Sequence, residues 1–439
     1  MSPLELGLLI AVVLILVLLS GAPVAFSLGA VSIIFLVIFD GVSSIDVIAD
    51  ILFGGLNEFA LLSIPMFILM GAAVASSRAG GDLYEALERW LYKVPGGLII
   101  SNLGACSIFA ALSGSSPATC AAIGKMGIPE MQKRGYPSSL ATGAIAAGGT
   151  LGILIPPSIT MIVYGIATET SIGRLFIAGI IPGIMLTTLF MAWSLYYAKR
   201  NGFHFKLGDK GYSWKEKFEI LPKILPFLII IILILYALYG GIATPSEAAG
   251  VGAFVCVGLV ILIYKMWNLR EHWEILRSAM RESVMIMMII GTAALFSYMM
   301  SSLYITQSLA EWIATLQVSP WALLLSINLF LLVAGLFLPP VAVILMTAPT
   351  LVPIVETIGF DPIWFGVMLT INMEIGLITP PVGLNLYVIN SIAPDVKLPT
   401  ILWGALPFMI CMLIGIMLLI LFPGLATWLP EVLMGQAQY

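Results

Sequence analysis

The sequence predicts an all-α polytopic membrane protein made of two inverted repeats, each with one re-entrant helical hairpin and one broken helix. Three observations carry that reading. The 439 residues are 60% hydrophobic and only 10% charged, where a soluble domain carries about 25% charge. Apolar runs of membrane-spanning length recur from end to end. The two halves repeat the same interruptions at an offset near 224 residues.

Composition also excludes. A mean hydropathy of +1.09 turns most of the surface toward lipid. The formal net charge of −4 leaves no cation cluster to neutralise phosphates, so nucleic acid is not a partner. The two histidines, His204 and His272, are expected in polar loops, which removes imidazole from any intramembrane metal site or Ser/His triad. Cys106, Cys120, Cys256 and Cys411 lie singly in apolar segments and read as small buried hydrophobes. No cofactor is implied.

Full spans are expected at about 4–20, 24–39, 59–77, 137–167, 172–198, 224–242, 248–264, 283–304, 362–392 and 400–422. No basic segment precedes the first run and no cleavage site follows it. It is therefore expected to persist as a helix, not to be removed as a signal peptide. Two apolar pieces, about 95–128 and 319–355, are interrupted at Ser113–Pro117 and Leu338–Pro340. Each half looks too short to cross ~30 Å of hydrocarbon, so both pieces read as re-entrant hairpins. Spans 137–167 and 362–392 are broken at Pro156-Pro157 and Pro380-Pro381, because a Pro pair removes two backbone donors and clashes with the preceding turn. Residues 82–93 and 268–282 have amphipathic helical spacing and read as interfacial helices or as solvated connectors.

The charges test this topology. Seven basic residues in the 199–223 loop place it in the cytoplasm. Alternation then puts the acidic loop 40–58 and both termini on the periplasmic side. Of the 19 basic residues, only Arg174 falls on the wrong side. The first hairpin opens from the cytoplasm and the second from outside. The repeats are expected at residues 1–215 and 216–439. Pro129 matches Pro353, Gly152 matches Gly376, and Pro156-Pro157 matches Pro380-Pro381, with Pro117 near Pro340 and Pro23 near Pro245 after small shifts. Inverted repeats with broken helices belong to secondary transporters, whose sites lie at the breaks.

A helix that stops in mid-membrane leaves carbonyls that suit a cation, and the next half begins with amides that suit an anion. Na⁺ needs oxygen ligands. Candidates in the first half are Ser113 and Ser116 with backbone oxygens at Gly152, Ile155 and Pro157. In the second half they are Gly335, Gly376, Val382 and Thr379. A packing surface of small residues is the alternative for the serine-rich bend. An anionic substrate would rest on Ser115, Thr119, Ser158, Val341 and Asn385, since the membrane core holds almost no cation. Glu374 reads either as a coupling carboxylate or as a structural hydrogen-bond partner, with Asn372 capping or lining the same break.

Several stretches resemble the large membrane subunit (DctM type) of TRAP, or tripartite ATP-independent periplasmic, transporters. They are Ser63–Gly71 (Ser-Ile-Pro-Met-Phe-Ile-Leu-Met-Gly), Pro95–Leu98 (Pro-Gly-Gly-Leu), Leu112–Thr119 (Leu-Ser-Gly-Ser-Ser-Pro-Ala-Thr), Gly152–Ser158 (Gly-Ile-Leu-Ile-Pro-Pro-Ser) and Asn372–Asn385 (Asn-Met-Glu-Ile-Gly-Leu-Ile-Thr-Pro-Pro-Val-Gly-Leu-Asn). The resemblance implies an elevator-type carrier, related to divalent-anion/Na⁺ symporters, in a bacterial inner membrane. Hairpins and broken helices would move as a transport domain against a scaffold of the remaining helices. It implies Na⁺ as the coupling ion, a carboxylate substrate delivered by a periplasmic substrate-binding protein, and a separate small four-helix membrane subunit. Leu338-Pro339-Pro340 resembles members that carry C4-dicarboxylates, with sialic acid, keto acid and ectoine as alternatives.

Other classes fare worse. An intramembrane protease could use Ser115 or Ser116, but no base is placed to activate either. An ATP-driven pump would need a Gly-x-x-x-x-Gly-Lys-[Ser/Thr] loop, and none is present. Opposed hairpins suit alternating access better than a channel.

Overall fold

A computed structural model describes residues 1–94, 96–201, 211–315 and 318–435. Pro95, His204 and the centre of the basic loop lie outside the described residues. Every regular element among those described is helical. The first half runs α1 (Pro3–Leu19), α2 (Val24–Phe39), α3 (Ile48–Leu56), α4 (Ser63–Ser76), α5 (Ala79–Leu91), α6 (Gly97–Ser113), α7 (Ser116–Lys133), α8 (Ser138–Thr150), α9 (Ile159–Ala167) and α10 (Ile172–Arg200). The second runs α11 (Trp214–Glu219), α12 (Leu221–Tyr239), α13 (Pro245–Tyr264), α14 (Leu269–Ser302), α15 (Ile305–Thr315), α16 (Pro320–Phe337), α17 (Pro340–Thr357), α18 (Pro362–Leu377), α19 (Leu384–Ile392), α20 (Leu398–Leu421) and α21 (Gly424–Met434).

Local chemistry sets many of these boundaries. Ser2 with Glu5, and Thr244 with Glu247, form reciprocal caps that start α1 and α13 with Pro at the first helical position. Residues 151–158 separate α8 from α9 around Pro156-Pro157, and residues 378–383 separate α18 from α19 around Pro380-Pro381. Both Pro–Pro bonds are cis. The expected hairpins are α6–α7 and α16–α17. All four cysteines are free and buried.

Three expectations need correction. Residues 268–282 are not a separate interfacial helix: they open the 34-residue α14, about 51 Å long at 1.5 Å per residue. No Gly or Pro interrupts the chain between Leu269 and Ile290, so the change from polar to apolar marks a change of surroundings, not a helix end. His272 consequently lies in α14, not in a loop, with its Nε2 2.6 Å from the Met266 carbonyl oxygen. The arms α16 and α17 are each 18 residues and apolar enough to cross a membrane, so their length alone does not make them re-entrant. Their turn lies against a break, as described below.

Packing divides the helices into two groups over one continuous core. In one group α1–α4 pack with α12–α15, and α14 runs along α2, α3 and α4. In the other, the hairpins and broken helices pack with α10, α20 and α21. The 172–198 and 400–422 spans, expected among the scaffold helices, thus join the hairpins. The groups meet chiefly where α4 touches α6, α7 and α9, and where α14 touches α17. The amphipathic α5 lies on the first hairpin, with Gly80 against Phe109 and Ala122. Glu88 of α5 pairs with Arg134 just after α7. Burial pushes the Glu88 carboxyl up, and the guanidinium opposes that shift.

Close approach of α8 and α20 depends on two glycines. A side chain on Gly143 would collide with the Gly404 carbonyl, and one on Gly404 with the Ser139 carbonyl. Gly143→Ala is expected to cost about 1–3 kcal/mol of overpacking and to lower the thermal unfolding midpoint of the detergent-purified protein. Gly258→Ala, where nothing lies within 4 Å, is expected to leave that midpoint unchanged or raise it slightly.

Candidate functional site

The first hairpin reverses over two residues. Gly114 takes a left-handed conformation (φ +59°) and ends α6, Ser115 is extended, and Ser116 with Pro117 starts α7. Hydroxyls close the tip. Ser113 Oγ and Thr119 Oγ1 are 2.8 Å apart, and Thr119 Oγ1 donates to the Ser115 carbonyl at 2.9 Å. Ser116 Oγ donates to the Thr150 carbonyl at 3.2 Å, joining the tip to the last residue of α8.

The break meets this tip from both sides. A side chain on Gly152 would start 2.7 Å from the Ser115 carbonyl carbon and oxygen, and one on Gly114 would start 3.0 Å from the Pro157 oxygen. Ser158 caps α9 through the Met161 amide at 3.3 Å and donates to the Ile153 carbonyl at 2.5 Å, so it bridges the break. Ser113, Ser116, Gly152 and Pro157 are thus gathered in one place. Ile155 stands in the break with its side chain against Gly183 of α10.

The second hairpin repeats the arrangement with different atoms. A side chain on Gly376, at the end of α18, would collide with the Gly335 carbonyl. The Val382 amide, on the far side of the break, donates to the Leu336 carbonyl at 3.2 Å. Thr379 Oγ1 donates to the Ile375 carbonyl at 2.6 Å. A hydroxyl that donates still offers its oxygen lone pairs. Gly335, Gly376, Thr379 and Val382 are therefore brought together. Asn372 Nδ2 donates to Asn328 Oδ1 at 2.5 Å, pinning α18 to the first arm of this hairpin.

Glu374 stands apart from that seat. It is fully buried, and neither carboxylate oxygen has a hydrogen-bond partner among the described residues. It lies two residues from both Asn372 and Gly376, which face α16. Two helical residues turn about 200°, so Glu374 points away from the hairpin. Asn385 donates from Nδ2 to the Ala146 carbonyl at 3.2 Å, joining α19 to α8.

Both tips face a cavity of about 540 Å³ between the two helix groups. Ser115, Ser116 and Val341 line one wall, and Phe26, Met285 and Ile289 of α2 and α14 line the other. Thr119, Ser158 and Asn385 are fully buried behind the wall; they shape the site from behind. Sequence reasoning missed Thr160, Arg281 and Glu282, which also line the cavity. Pro23, at the α1–α2 turn, lines it as well. Nothing local to Arg281 in the sequence signals its place there.

Residues 11–425 match the family model described as the tripartite ATP-independent periplasmic transporter, DctM component. The chain is 39% identical to a C4-dicarboxylate TRAP transporter large permease protein of Pseudomonas aeruginosa, over 87% of this chain and 88% of the relative. It is 35% identical to a protein of the same description from Rhodobacter capsulatus, over 97% and 99%. It is 32% identical to the sialic acid TRAP transporter large permease protein of Vibrio cholerae, over 95% and 97%. In fold it is similar to the YdaH transporter of Alcanivorax borkumensis, with a TM-score of 0.65 and 16% identity over 89% of this chain and 90% of that one. The chain is a multi-pass membrane protein and belongs to the DctM family, the large permease component of tripartite ATP-independent periplasmic transporters.

Proposed function

We propose that this permease carries an organic acid, a C4-dicarboxylate in the first instance, together with Na⁺ by an elevator movement. The observation that carries the reading is the paired seat: each hairpin tip rests on the glycine of a broken helix, and both tips face one cavity. Each seat combines backbone carbonyls with hydroxyls, a donor set that suits Na⁺. Ser113 and Ser116 with Gly152, Ile155 and Pro157 supply the first. Gly335, Gly376, Thr379 and Val382 supply the second. Amides and hydroxyls around Ser115 and Val341 face the substrate, while Thr119, Ser158 and Asn385 hold that wall in place. Glu374 serves either coupling or structure.

On this reading residues 1–215 and 216–439 are inverted repeats in a bacterial inner membrane, with both termini periplasmic. The cavity touches Pro23 and Arg281, which the charge pattern assigns to the cytoplasmic ends of α2 and of the apolar part of α14, so this form opens inward. A periplasmic binding protein delivers substrate, and a small four-helix subunit widens the α1–α4/α12–α15 group. The identity to C4-dicarboxylate relatives supports that substrate above sialic acid, keto acid or ectoine.

Reconstituted with both partners, the chain is expected to accumulate labelled succinate only under an inward Na⁺ gradient. Uptake that persists in choline rules out the coupling, and uptake of sialic acid or ectoine in place of succinate reassigns the substrate. Ser116→Ala and Thr379→Val each remove about one hydrogen-bond equivalent of ligation. Each is therefore expected to raise the half-saturating Na⁺ concentration about fivefold, and the lost Ser116–Thr150 bond to lower the unfolding midpoint by no more than one hydrogen bond's worth. Unchanged Na⁺ activation in both variants refutes the assigned ligands.

Gly376→Ala tests the seat itself. The added methyl has no room against the Gly335 backbone, so Na⁺-dependent uptake is expected to fall by more than tenfold while the protein still inserts. Wild-type Na⁺ activation in this variant means that the tip and the break need not touch.

A further inference from the structure

The cavity has a cation on its scaffold wall that neither ion seat uses. Arg281, Met285 and Ile289 all line the cavity. They are spaced i, i+4 and i+8, so one stripe of α14 faces the hairpin tips. From Ile289 to Arg281 the stripe runs about 12 Å along the helix axis, from the apolar depth of the cavity to its mouth. The same stripe continues beyond the mouth through Arg277, four residues on, to Arg270. Arg270 and Glu274 form a loose ion pair at 3.8 Å. Arg281 is exposed, and no carboxylate of the described residues lies within ion-pair distance of it.

The opposite wall is different. Ser115, Ser116, Pro340 and Val341 of the two tips carry no formal charge. Most of the remaining lining is apolar, which strengthens the field of a fixed charge inside the cavity. Glu282 also lines the cavity, about 100° round the helix from Arg281.

We propose that Arg281 is a specificity residue of the inward-open state: it binds a carboxylate of the departing organic anion and hands it along the arginine stripe of α14 toward the cytoplasm. The inference rests on the organic-acid reading above. Because α14 packs with the scaffold group while the tips belong to the other group, the two are in register in only one position of the elevator. A contact made in one state and not the other shifts the balance between states by its full strength. An exposed cation is also screened by salt, so the effect weakens as ionic strength on that side rises.

The test is trans-inhibition in proteoliposomes holding the assembled three-component system, with succinate preloaded on the cytoplasmic face. Arg281→Gln is expected to raise the internal succinate concentration that halves uptake about tenfold, the loss of one charged hydrogen bond. The KM for external succinate is expected to stay unchanged, and Arg281→Lys to lie within about threefold of wild type. Internal KCl is expected to weaken inhibition of wild type and not of Arg281→Gln. An Arg281→Gln variant inhibited like wild type overturns the inference. So does equal impairment of Gln and Lys variants from both faces, which marks a structural or lipid-anchoring arginine. Wild-type protein that takes up succinate but ignores internal succinate overturns it too. Wild type that moves no succinate at all removes the organic-acid reading itself, and this inference with it.

Discussion

A backbone that leaves its helix in the middle of a membrane has no water to satisfy it, and most of this architecture follows from how that demand is met. Each break is answered by a hairpin tip. The Thr150 carbonyl receives the Ser116 hydroxyl, and the Val382 amide finds the Leu336 carbonyl. Such bonds need backbone against backbone, which accounts for Gly152 beneath Ser115 and for Gly376 beneath Gly335. The position of the tips then decides where the cavity lies, because the face they do not press against the breaks is the face left open.

The two breaks are also tied to each other. Asn385, just past the second break, reaches the Ala146 carbonyl of the first broken helix. Tyr164, past the first break, donates to the Pro362 carbonyl at the start of the second broken helix, at 2.6 Å. Trp364 Nε1 donates to the Leu419 carbonyl of α20 at 2.9 Å. These links are buried, where an unmade bond costs most. They join the two broken helices and α20 into one cohesive unit, whereas the boundary with α14 is lined largely by apolar side chains and by the cavity. The elevator movement proposed above would need that contrast. The orphaned Glu374 lies inside the cohesive unit and away from the seat, which separates it physically from the second proposed ion site.

Much of this was legible in the chain because its causes are local. Paired prolines end helices wherever they fall, and capping residues such as Thr244 and Glu247 announce a helix start. The seats were legible as well, since glycine and proline recur at matching positions in the two halves. What stayed hidden had non-local causes. Hydropathy reports surroundings, so it divided α14 at residue 283 although no residue there ends a helix. Thr119, Ser158 and Asn385 read from the sequence as substrate contacts, and only packing shows that they are fully buried behind the wall. Arg281 reads from sequence as one more positive charge at a span end. Its place at the cavity mouth depends on which helix lies opposite.

The two seats are alike in shape and unlike in chemistry, and that difference bears on coupling. The first tip closes through hydroxyls: Ser113 meets Thr119, and Thr119 holds the carbonyl of Ser115. Ser115 itself lines the cavity. On the proposed reading, a cation drawn to Ser113 and Ser116 polarises hydroxyls that also position a substrate-facing residue, so ion and substrate share atoms one bond apart. The second tip closes through backbone, and its cavity-facing residues, Pro340 and Val341, offer a substrate only amide and apolar contact. Apart from the Thr379 hydroxyl, its oxygens are backbone atoms held by the contact of Gly335 with Gly376, which do not reorient when a hydroxyl turns. On that reading, mutual dependence of ion and substrate would concentrate at the first hairpin, while the second would supply a stiffer seat whose occupancy mainly keeps the break closed.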